Sequence, residues 1–371
     1  MKSKIHKHKQ QINMTVRNKF NLYLIFAISL FIFSCNSDDN SNPTIEGDFE
    51  NGIFVLNEGG YTYANASVTF ISNTGEIQNN IFEAVNGRKL GDVAQSISFH
   101  NDLAYIVVNN SNTVEVVNRN TFESVATIAG ELYNPRYIEF HNGKGYISNW
   151  GDGNVASDDF VAVVDLNSNS IINKIPVPQG PERLEAENGK LYIAQRGDYS
   201  HGNTISVLDL NSETITATID VADYPNGMVE DGGHLFVLCS GKAAWTGNET
   251  SAAMFKINLQ NNQIVDQFTF EDGAHPTFLQ IENSKVYYTI GSDIYRTETS
   301  NIEPSASPFI STSGDEMQVL YGFNVDNGWI YACDAKDYQS NGELFVYALN
   351  GNLESKYPIS GIIPNGVYFN D

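Results

Sequence analysis

The feature that most restricts the fold of this sequence is an internal repeat of about 45 residues. The stretch that begins at Pro135, PRYIEFHNGKGYI, is matched by PERLEAENGKLYI, which begins at Pro181. The same pattern begins at five further positions, namely Ala94, Pro225, Pro276, Leu320 and Pro364. Successive copies start 41, 46, 44, 51, 44 and 44 residues apart. This regularity predicts an array of similar units that share one core, because a single short unit cannot bury its apolar face alone.

Each copy contains the pattern of a β-hairpin, in which a short alternating strand is followed by a turn rich in Asn, Asp and Gly and then by a second strand. In the first four copies two more strands follow, as in residues 204–210 and 214–219. No long segment has helical periodicity. Four antiparallel strands in every 40–50 residues are typical of a β-propeller blade. The sequence therefore predicts an all-β fold, a seven-bladed β-propeller over residues 49–371.

The seventh copy stops eight residues after it begins, at the end of the chain. The strands that it lacks are present near the other end, as a second strand at 51–56, a third at 66–71 and a fourth at 76–82. We therefore predict that the last blade is closed by both chain ends, with its innermost strand supplied by the C-terminus. This closure would pair strand edges that are otherwise exposed.

Residues 1–34 are predicted to be a signal peptide. They carry six basic and no acidic residues, and an apolar run of 13 residues occupies 22–34. This run is too short for a transmembrane helix. It ends at Ser34-Cys35, which resembles a bacterial lipobox, with Phe33 in the place of a small or aliphatic residue. We expect Cys35 to be lipidated; a plain signal peptide is the alternative, and Met14 is an alternative start.

Residues 35–48 are predicted to be a lipidated tether, because they are polar and without hydrophobic periodicity. Their start, Asn-Ser-Asp-Asp at 36–39, resembles the acidic export signal of Bacteroidetes surface lipoproteins. The expected location is therefore the outer membrane, facing the exterior, with the lipid as the only membrane contact. That compartment excludes ATP-dependent and nicotinamide-dependent metabolism. Residues 35–371 carry 15 basic and 44 acidic residues, a charge of −29, which argues against nucleic-acid binding.

Propeller geometry places two groups of connections on one face of the ring, which we call the loop face. These are the connections that enter the innermost strands and those between second and third strands. Functional residues are therefore expected there. The entry positions are Gln95, Arg136, Arg183, Asn226, Thr277, Tyr321 and Asn365. The strand-end and loop positions are Glu58, Tyr61, Asn109, Asn110, Asn149, Trp150, Gln195, Arg196, Trp245 and Asp334.

These candidate ligand-binding residues are amides, aromatic rings and arginines, a set that suits a large, flat and polar ligand. Arg136, Arg183 and Arg196 all fall on the loop face, although the protein has few basic residues. The alternative is that the amides only cap turns and the arginines only pair with the surplus acids.

Catalytic motifs are not apparent in the sequence, which has no H-E-x-x-H, no C-x-x-C and no glycine-rich phosphate loop. We expect His100 and His141 to be structural, on the face away from the loop face. Cys239 and Cys333 are expected to be buried free thiols. Asp152, Asp158 and Asp159 could bind calcium, but a solvated acidic loop fits their spacing better. The sequence thus predicts a protein that is not an enzyme and holds no metal or cofactor.

Several segments resemble the seven-bladed surface lipoproteins of the BtuG type in Bacteroidetes, which belong to the YncE-like propellers. These segments are Asn57-Glu-Gly, Leu90-Gly-Asp-Val-Ala-Gln-Ser, Ile106-Val-Val-Asn-Asn-Ser, Pro135-Arg-Tyr-Ile and Asp334-Ala-Lys-Asp-Tyr. The resemblance implies capture of cobalamin or a related corrinoid at the cell surface. It also implies delivery of that ligand to a TonB-dependent outer-membrane transporter.

Two other functions remain open. The first is an enzyme such as a propeller lactonase or quinoprotein-like oxidoreductase, for which Glu58 and Asp334 would be the inward carboxylates. The second is an adhesion or surface-layer module with a protein or glycan partner, which a large exposed apolar patch would favour.

Overall fold

The computed structural model describes residues 48–370, and within them the strands form seven antiparallel sheets. The predicted signal peptide, Cys35 and residues 36–47 of the tether lie outside this range. None of the helices in 48–370 is long and apolar enough to cross a membrane. The seven sheets are the seven blades of a propeller, as the repeat predicts.

Strands are numbered along the chain, and each blade is numbered by the repeat that forms it. The first elements are β1 Gly52–Asn57, β2 Ser67–Ser72, β3 Ile77–Gln78 and helix α1 Ile81–Asn86. Blades one and two comprise β4 Ala94–His100, β5 Leu103–Val108, β6 Thr113–Asn118, β7 Ser124–Ile128, β8 Pro135–His141, β9 Lys144–Asn149, β10 Phe160–Asp165 and β11 Ser170–Pro176.

Blades three and four comprise β12 Pro181–Glu187, β13 Lys190–Gln195, β14 Thr204–Asp209, β15 Thr214–Asp220, β16 Pro225–Asp231, β17 His234–Cys239, β18 Ala253–Asn258 and β19 Gln263–Thr269. Blades five and six comprise β20 Pro276–Glu282, β21 Lys285–Ile290, β22 Asp293–Glu298, β23 Leu320–Asp326, β24 Trp329–Asp334, β25 Asn341–Ala348 and β26 Leu353–Ile362. The last strand is β27 Pro364–Asn370. Two short 3₁₀ helices, Ala244–Thr246 and Thr312–Gly314, lie in connections.

Blade seven is closed by both chain ends, as predicted. Its strand order is β27-β1-β2-β3, and β27 pairs antiparallel with β1 so that Val367 lies opposite Val55. Asn370 fastens this closure, because its Nδ2 donates to the carbonyl oxygens of Phe49 at 2.6 Å and Arg119 at 3.1 Å. The ring is therefore completed by hydrogen bonds between residues more than 300 positions apart in sequence.

The hairpin turns follow from their residues. At Asn142-Gly143, Asn188-Gly189 and Asn327-Gly328, both central residues have φ between 47° and 84°. Both residues of a type I′ turn need positive φ, which Asn and Gly adopt at the lowest cost. These turns lie at the end of the ring opposite the loop face, which we call the hairpin face.

The hydrophobic core lies between neighbouring blades. One cluster, for example, joins Tyr105 and Val116 of blade one to Ile138 and Ala162 of blade two, and all four are at most 2% exposed. Alternate residues of each strand point to the two neighbouring blades. This explains why the strands are rich in β-branched and aromatic residues on both faces.

Two blades differ from the expected pattern, blade five in the number of its strands and blade seven in the length of one strand. Blade five has three, because the segment after β22 makes only isolated bridges and contains Pro304 and Pro308, which have no N–H for a strand ladder. In blade seven, β3 has two residues, where the sequence predicts a strand to Phe82. Ile81 and Phe82 instead begin α1 and are buried against the sheet.

Candidate ligand-binding site

The central channel opens on the loop face into a polar cavity of about 530 Å³, which we call the mouth cavity. The entry residues reach it because each is the second or third residue of an innermost strand. Nine of the predicted site residues line it, namely Glu58, Gln95, Arg136, Arg183, Arg196, Asn226, Thr277, Tyr321 and Asn365. The structure therefore brings together side chains from all seven blades, as propeller geometry predicts.

Arg136 and Glu182 form a buried ion pair in this cavity. Arg136 donates from Nη2 to Oε1 of Glu182 at 2.8 Å and from Nε to Oε2 at 2.9 Å. Burial by itself would lower the pKa of Arg136 and raise that of Glu182, but each partner's charge reverses the effect, so the pKa of Arg136 is raised and that of Glu182 is lowered. Two of the Arg136 donors are thus already engaged by Glu182, and contact of Arg136 with a ligand stays a prediction.

Trp150 is held in place by this ion pair. The Arg136 guanidinium lies 4.1 Å from the centroid of its ring, and the indole N–H donates to the carbonyl oxygen of Pro181 at 3.1 Å. Trp150 is only 6% exposed. Trp150 is therefore a fixed ring that lies beside the mouth cavity and is not part of its lining.

Arg183 and Arg196 differ from Arg136 in their contacts, which are with aromatic rings. Arg183 lies 4.2 Å from the ring centroid of Tyr137, and Arg196 lies between Tyr224 at 5.3 Å and Trp150 at 5.6 Å. Within residues 48–370, neither side chain forms an ion pair with a carboxylate. Each guanidinium thus faces aromatic rings, and its N–H donors are not engaged by a carboxylate of the described residues. The mouth cavity thus offers two oriented cations to a ligand.

Glu58 is the acidic counterpart in the cavity. Burial raises the pKa of its carboxyl, although a hydrogen bond with Tyr321 and the charge of Arg136 act in the opposite direction.

A second cavity of about 490 Å³ adjoins the first, and Arg196, Asn226 and Thr277 line both. We call it the aromatic pocket, and it is also lined by Trp150, Asp198, Tyr199, Tyr224, Ser240, Gly241, Ala243, Trp245 and His275. The sequence predicted only Trp150 and Trp245 of its rings. Tyr224 and His275 directly precede the repeat markers Pro225 and Pro276, a position that could have identified them.

Six predicted residues do not line either cavity. Asn149, Gln195 and Asp334 are buried, with at most 2% exposed. Asp334 accepts the N–H groups of Gln318 at 3.1 Å and Val319 at 2.8 Å, which lie just before β23, the innermost strand of the same blade. The ends of second strands are covered by the chain that leads into the innermost strand, so polar side chains there satisfy buried backbone groups.

The remaining three lie nearer the surface. Asn109 donates to the carbonyl oxygen of Pro135 at 3.1 Å, and Asn110 donates to Asp92 at 2.5 Å. Tyr61 is 70% exposed on the loop between β1 and β2. A ligand larger than the mouth cavity could still reach Tyr61, whereas the two amides are engaged in holding loops together.

The acidic loop of blade two is not arranged for calcium. Asp158 accepts the N–H of Asp152 at 3.0 Å, while Asp159 points inward beside Asp198. Burial and then the neighbouring charge raise the pKa of Asp159 to about 7, and burial raises that of Asp198 to about 6. No group of three or more His, Cys, Asp or Glu among residues 48–370 could hold a metal ion. The expected buried free thiols are confirmed at Cys239 and Cys333.

Deeper in the propeller, two carboxyls occupy adjacent innermost strands. The pKa of Glu139 on β8 is raised to about 7, and that of Glu185 on β12 to about 8. Burial is the main cause for both. The charges of Glu139, Glu230 and Glu187 raise the pKa of Glu185 further, and Arg183 lowers it. These acids hold protons near neutral pH.

We expect the free energy of unfolding to fall as pH rises from about 5 to about 8. An unfolded glutamate titrates near about 4.3, so the folded state binds more protons in this interval and loses that advantage as pH rises through the folded pKa values. Glu185→Gln should raise Tm at pH 8 by a few °C, at roughly 2–4 °C per kcal/mol, and flatten the dependence. Thermal melts from pH 5 to 9 measure this. The exposed Glu271→Gln is the control, and identical slopes for all three proteins would contradict the assignment.

The structure is thus a seven-bladed β-propeller whose channel opens into a polar cavity. Residues 51–358 match the family described as a domain of unknown function, DUF5074, and the chain belongs to this family. No curated protein matches the chain in sequence.

Solved structures share the fold at low sequence identity. A quinonprotein alcohol dehydrogenase-like protein from Bacteroides thetaiotaomicron is 14% identical, with a TM-score of 0.68 over 87% of this chain and 79% of that chain. A functionally unknown protein from Desulfotomaculum acetoxidans is 14% identical, with a TM-score of 0.60 over 86% and 98%. BamB from Moraxella catarrhalis is 13% identical, with a TM-score of 0.53 over 86% of each chain. At these identities the similarity concerns the fold alone.

Proposed function

We propose that this protein is a non-enzymatic surface lipoprotein that binds cobalamin or a related corrinoid across the mouth cavity. The observation that carries the proposal is the pair Arg183 and Arg196. In a protein with 44 acidic residues, two guanidiniums lie over aromatic rings at the channel mouth and form no ion pair with a carboxylate of residues 48–370. Charged groups that are oriented but unpaired favour a ligand with anionic or carbonyl oxygens.

A corrinoid has the matching chemistry. It is broad and flat, its edge carries amide side chains, and its nucleotide loop contains a phosphate. The mouth cavity offers amide, hydroxyl and guanidinium groups, among them Asn226, Thr277 and Asn365. Cavities of about 300–1,000 Å³ are typical of small-molecule sites. With about 530 Å³ in the mouth cavity, the ligand would lie across the opening and extend over the outward loops.

Delivery to a TonB-dependent outer-membrane transporter completes the proposal and rests on the resemblance to BtuG-type lipoproteins. The acids considered for a propeller enzyme have other partners, because Asp334 binds backbone N–H groups and Glu58 is paired with Tyr321. These contacts favour binding over catalysis.

The second candidate function is adhesion through a protein or glycan partner. The observation that favours it is the exposure of aromatic side chains on the loop face, where Tyr61 is 70%, Tyr63 74% and Trp245 85% exposed. Exposed rings of this kind are enriched at interfaces.

The direct test is a titration of the lipid-free protein, residues 36–371, with cyanocobalamin. We expect the corrin absorbance to elute with the protein in gel filtration, at one ligand per chain. Absence of binding at roughly 50 µM ligand, far above the dissociation constant of a dedicated capture protein, would contradict the proposal and put adhesion first.

The anchor gives a separate prediction. Cys35 lies outside the described residues, and its lipidation follows from the apolar run that ends at Ser34. We expect Cys35→Ala to move the protein out of the membrane fraction of the native host, because the acyl chains are its only membrane contact. Fractionation followed by immunoblotting measures this. A variant that stays membrane-bound and protease-accessible on whole cells would show that the lipobox assignment is wrong.

A further inference from the structure

The aromatic pocket is a second concave surface beside the mouth cavity. Four rings from four connections surround it: Trp150 follows β9, Tyr199 follows β13, Tyr224 precedes β16 and Trp245 follows β17. It is therefore a composite of blades two, three and four, not the lining of one loop.

The rings differ in how firmly they are held. Trp150 is buried and hydrogen-bonded, and Tyr199 meets it edge-on at 6.1 Å with an interplanar angle of 80°. Tyr224 packs against His201 at 5.1 Å. Trp245, in contrast, is 85% exposed on its 3₁₀ turn. Tyr199 is also exposed, at 70%, so Trp150 and the half-buried Tyr224 form the supported wall of the pocket, and Tyr199 and Trp245 form its open wall.

Arg196 connects the aromatic pocket to the mouth cavity. It lines both, and its guanidinium lies between the rings of Trp150 and Tyr224. A guanidinium held in this way can bind an anionic oxygen with its edge while both cavities remain open on either side. A single ligand that filled both cavities would place its anionic group at Arg196.

We infer that the aromatic pocket is a subsite for a planar aromatic base that the ligand carries beyond a phosphate, with the phosphate on Arg196. Stacking of a base on aromatic side chains is a strong and sequence-tolerant interaction. This inference rests on the proposed function and deepens it, because it selects corrinoids with a complete nucleotide over those without one.

The test compares cobalamin with cobinamide, a corrinoid that lacks the phosphate-linked ribose and base. We expect wild type to bind cobalamin at least tenfold more tightly than cobinamide. Trp245→Ala should weaken cobalamin binding about thirtyfold, the usual effect of losing an anchoring aromatic residue, and leave cobinamide binding unchanged. The control is Trp329→Ala, which makes the same change at a 40% exposed tryptophan at the start of β24, on the hairpin face.

The outcomes separate the inference from the proposed function. If wild type binds both corrinoids equally, or Trp245→Ala weakens both equally, the base subsite is wrong and corrinoid binding stands. If neither corrinoid binds, the proposed function fails. The aromatic pocket is then tested by itself with AMP, which carries a planar base and a phosphate. Saturable quenching of tryptophan fluorescence by millimolar AMP in wild type but not in Trp245→Ala would support the subsite, and its absence would overturn it.

Discussion

Deletion of residues 364–371 is expected to open the ring and lower Tm by more than 10 °C, or to prevent folding. The deletion removes β27, which leaves β1 with an unpaired edge. It also removes Val367 and Phe369 from the cluster between blades six and seven, and Tyr368 from the cluster between blades seven and one. Loss of one large buried side chain costs roughly 2–5 kcal/mol, and 1 kcal/mol corresponds to about 2–4 °C in a domain of 150–250 residues.

Two controls separate closure from a general effect of truncation. Val367→Ala, at a side chain 1% exposed, should lower Tm by several °C, whereas Val125→Ala, 54% exposed at the rim of blade one, should change it by less than about 1 °C. A synthetic peptide of residues 364–371 should restore part of the lost stability when added to the truncated protein. A truncated protein that melts within about 2 °C of wild type would refute the shared blade.

Replacing Arg183 and Arg196 together by Ala is expected to weaken cobalamin binding at least a hundredfold. An anchoring Arg in a desolvated site is typically worth 2 kcal/mol or more, which is about thirtyfold in affinity, and the two effects are not fully additive. Neither guanidinium forms an ion pair among residues 48–370, and buried Glu182, whose pKa both charges help to lower, keeps its ion pair with Arg136. We therefore expect the double variant to remain folded, with only a modest loss of Tm. Titration calorimetry measures the affinity, and scanning calorimetry the Tm, of the double variant and of wild type.

The matched controls test whether the planar guanidinium is required and on which face of the propeller the ligand binds. Changing both arginines to Lys keeps the charge but loses the planar paired donors, so binding should remain weakened by at least tenfold. His100→Ala and His141→Ala, at the far ends of β4 and β8, should leave affinity unchanged. Loss of binding in the His variants, with full binding in the double Arg variant, would place the ligand on the hairpin face instead.

Trp150 is less suitable for this test than the sequence suggested. Its indole is 6% exposed, donates to Pro181 and covers the ion pair of Arg136 with Glu182. Trp150→Ala would combine a loss of ligand contact with a loss of stability. The substitutions of Arg183 and Arg196 avoid that ambiguity.

Much of the fold could be predicted because its determinants are local. The alternating strands, the Asn-Gly turns and the marker prolines recur at a nearly constant spacing, so a hairpin can be predicted from each repeat separately. The eight-residue final copy then required the closure of blade seven by both chain ends. The exceptions are local departures from the repeat, where Pro304 and Pro308 interrupt blade five and Ile81 and Phe82 enter a short helix.

The candidate site could be predicted only as a face of the ring. The sequence by itself determined that the entry residues, such as Arg183 and Thr277, would meet at the channel mouth, because every innermost strand starts there. Only the tertiary structure decided that Arg136 is bound to Glu182, that Asp334 is buried under the chain that enters β23, and that Tyr224 and Tyr199 join Trp245 in one pocket. The first and the last of these contacts join residues of different blades, and they depend on how neighbouring blades pack, which no single repeat encodes.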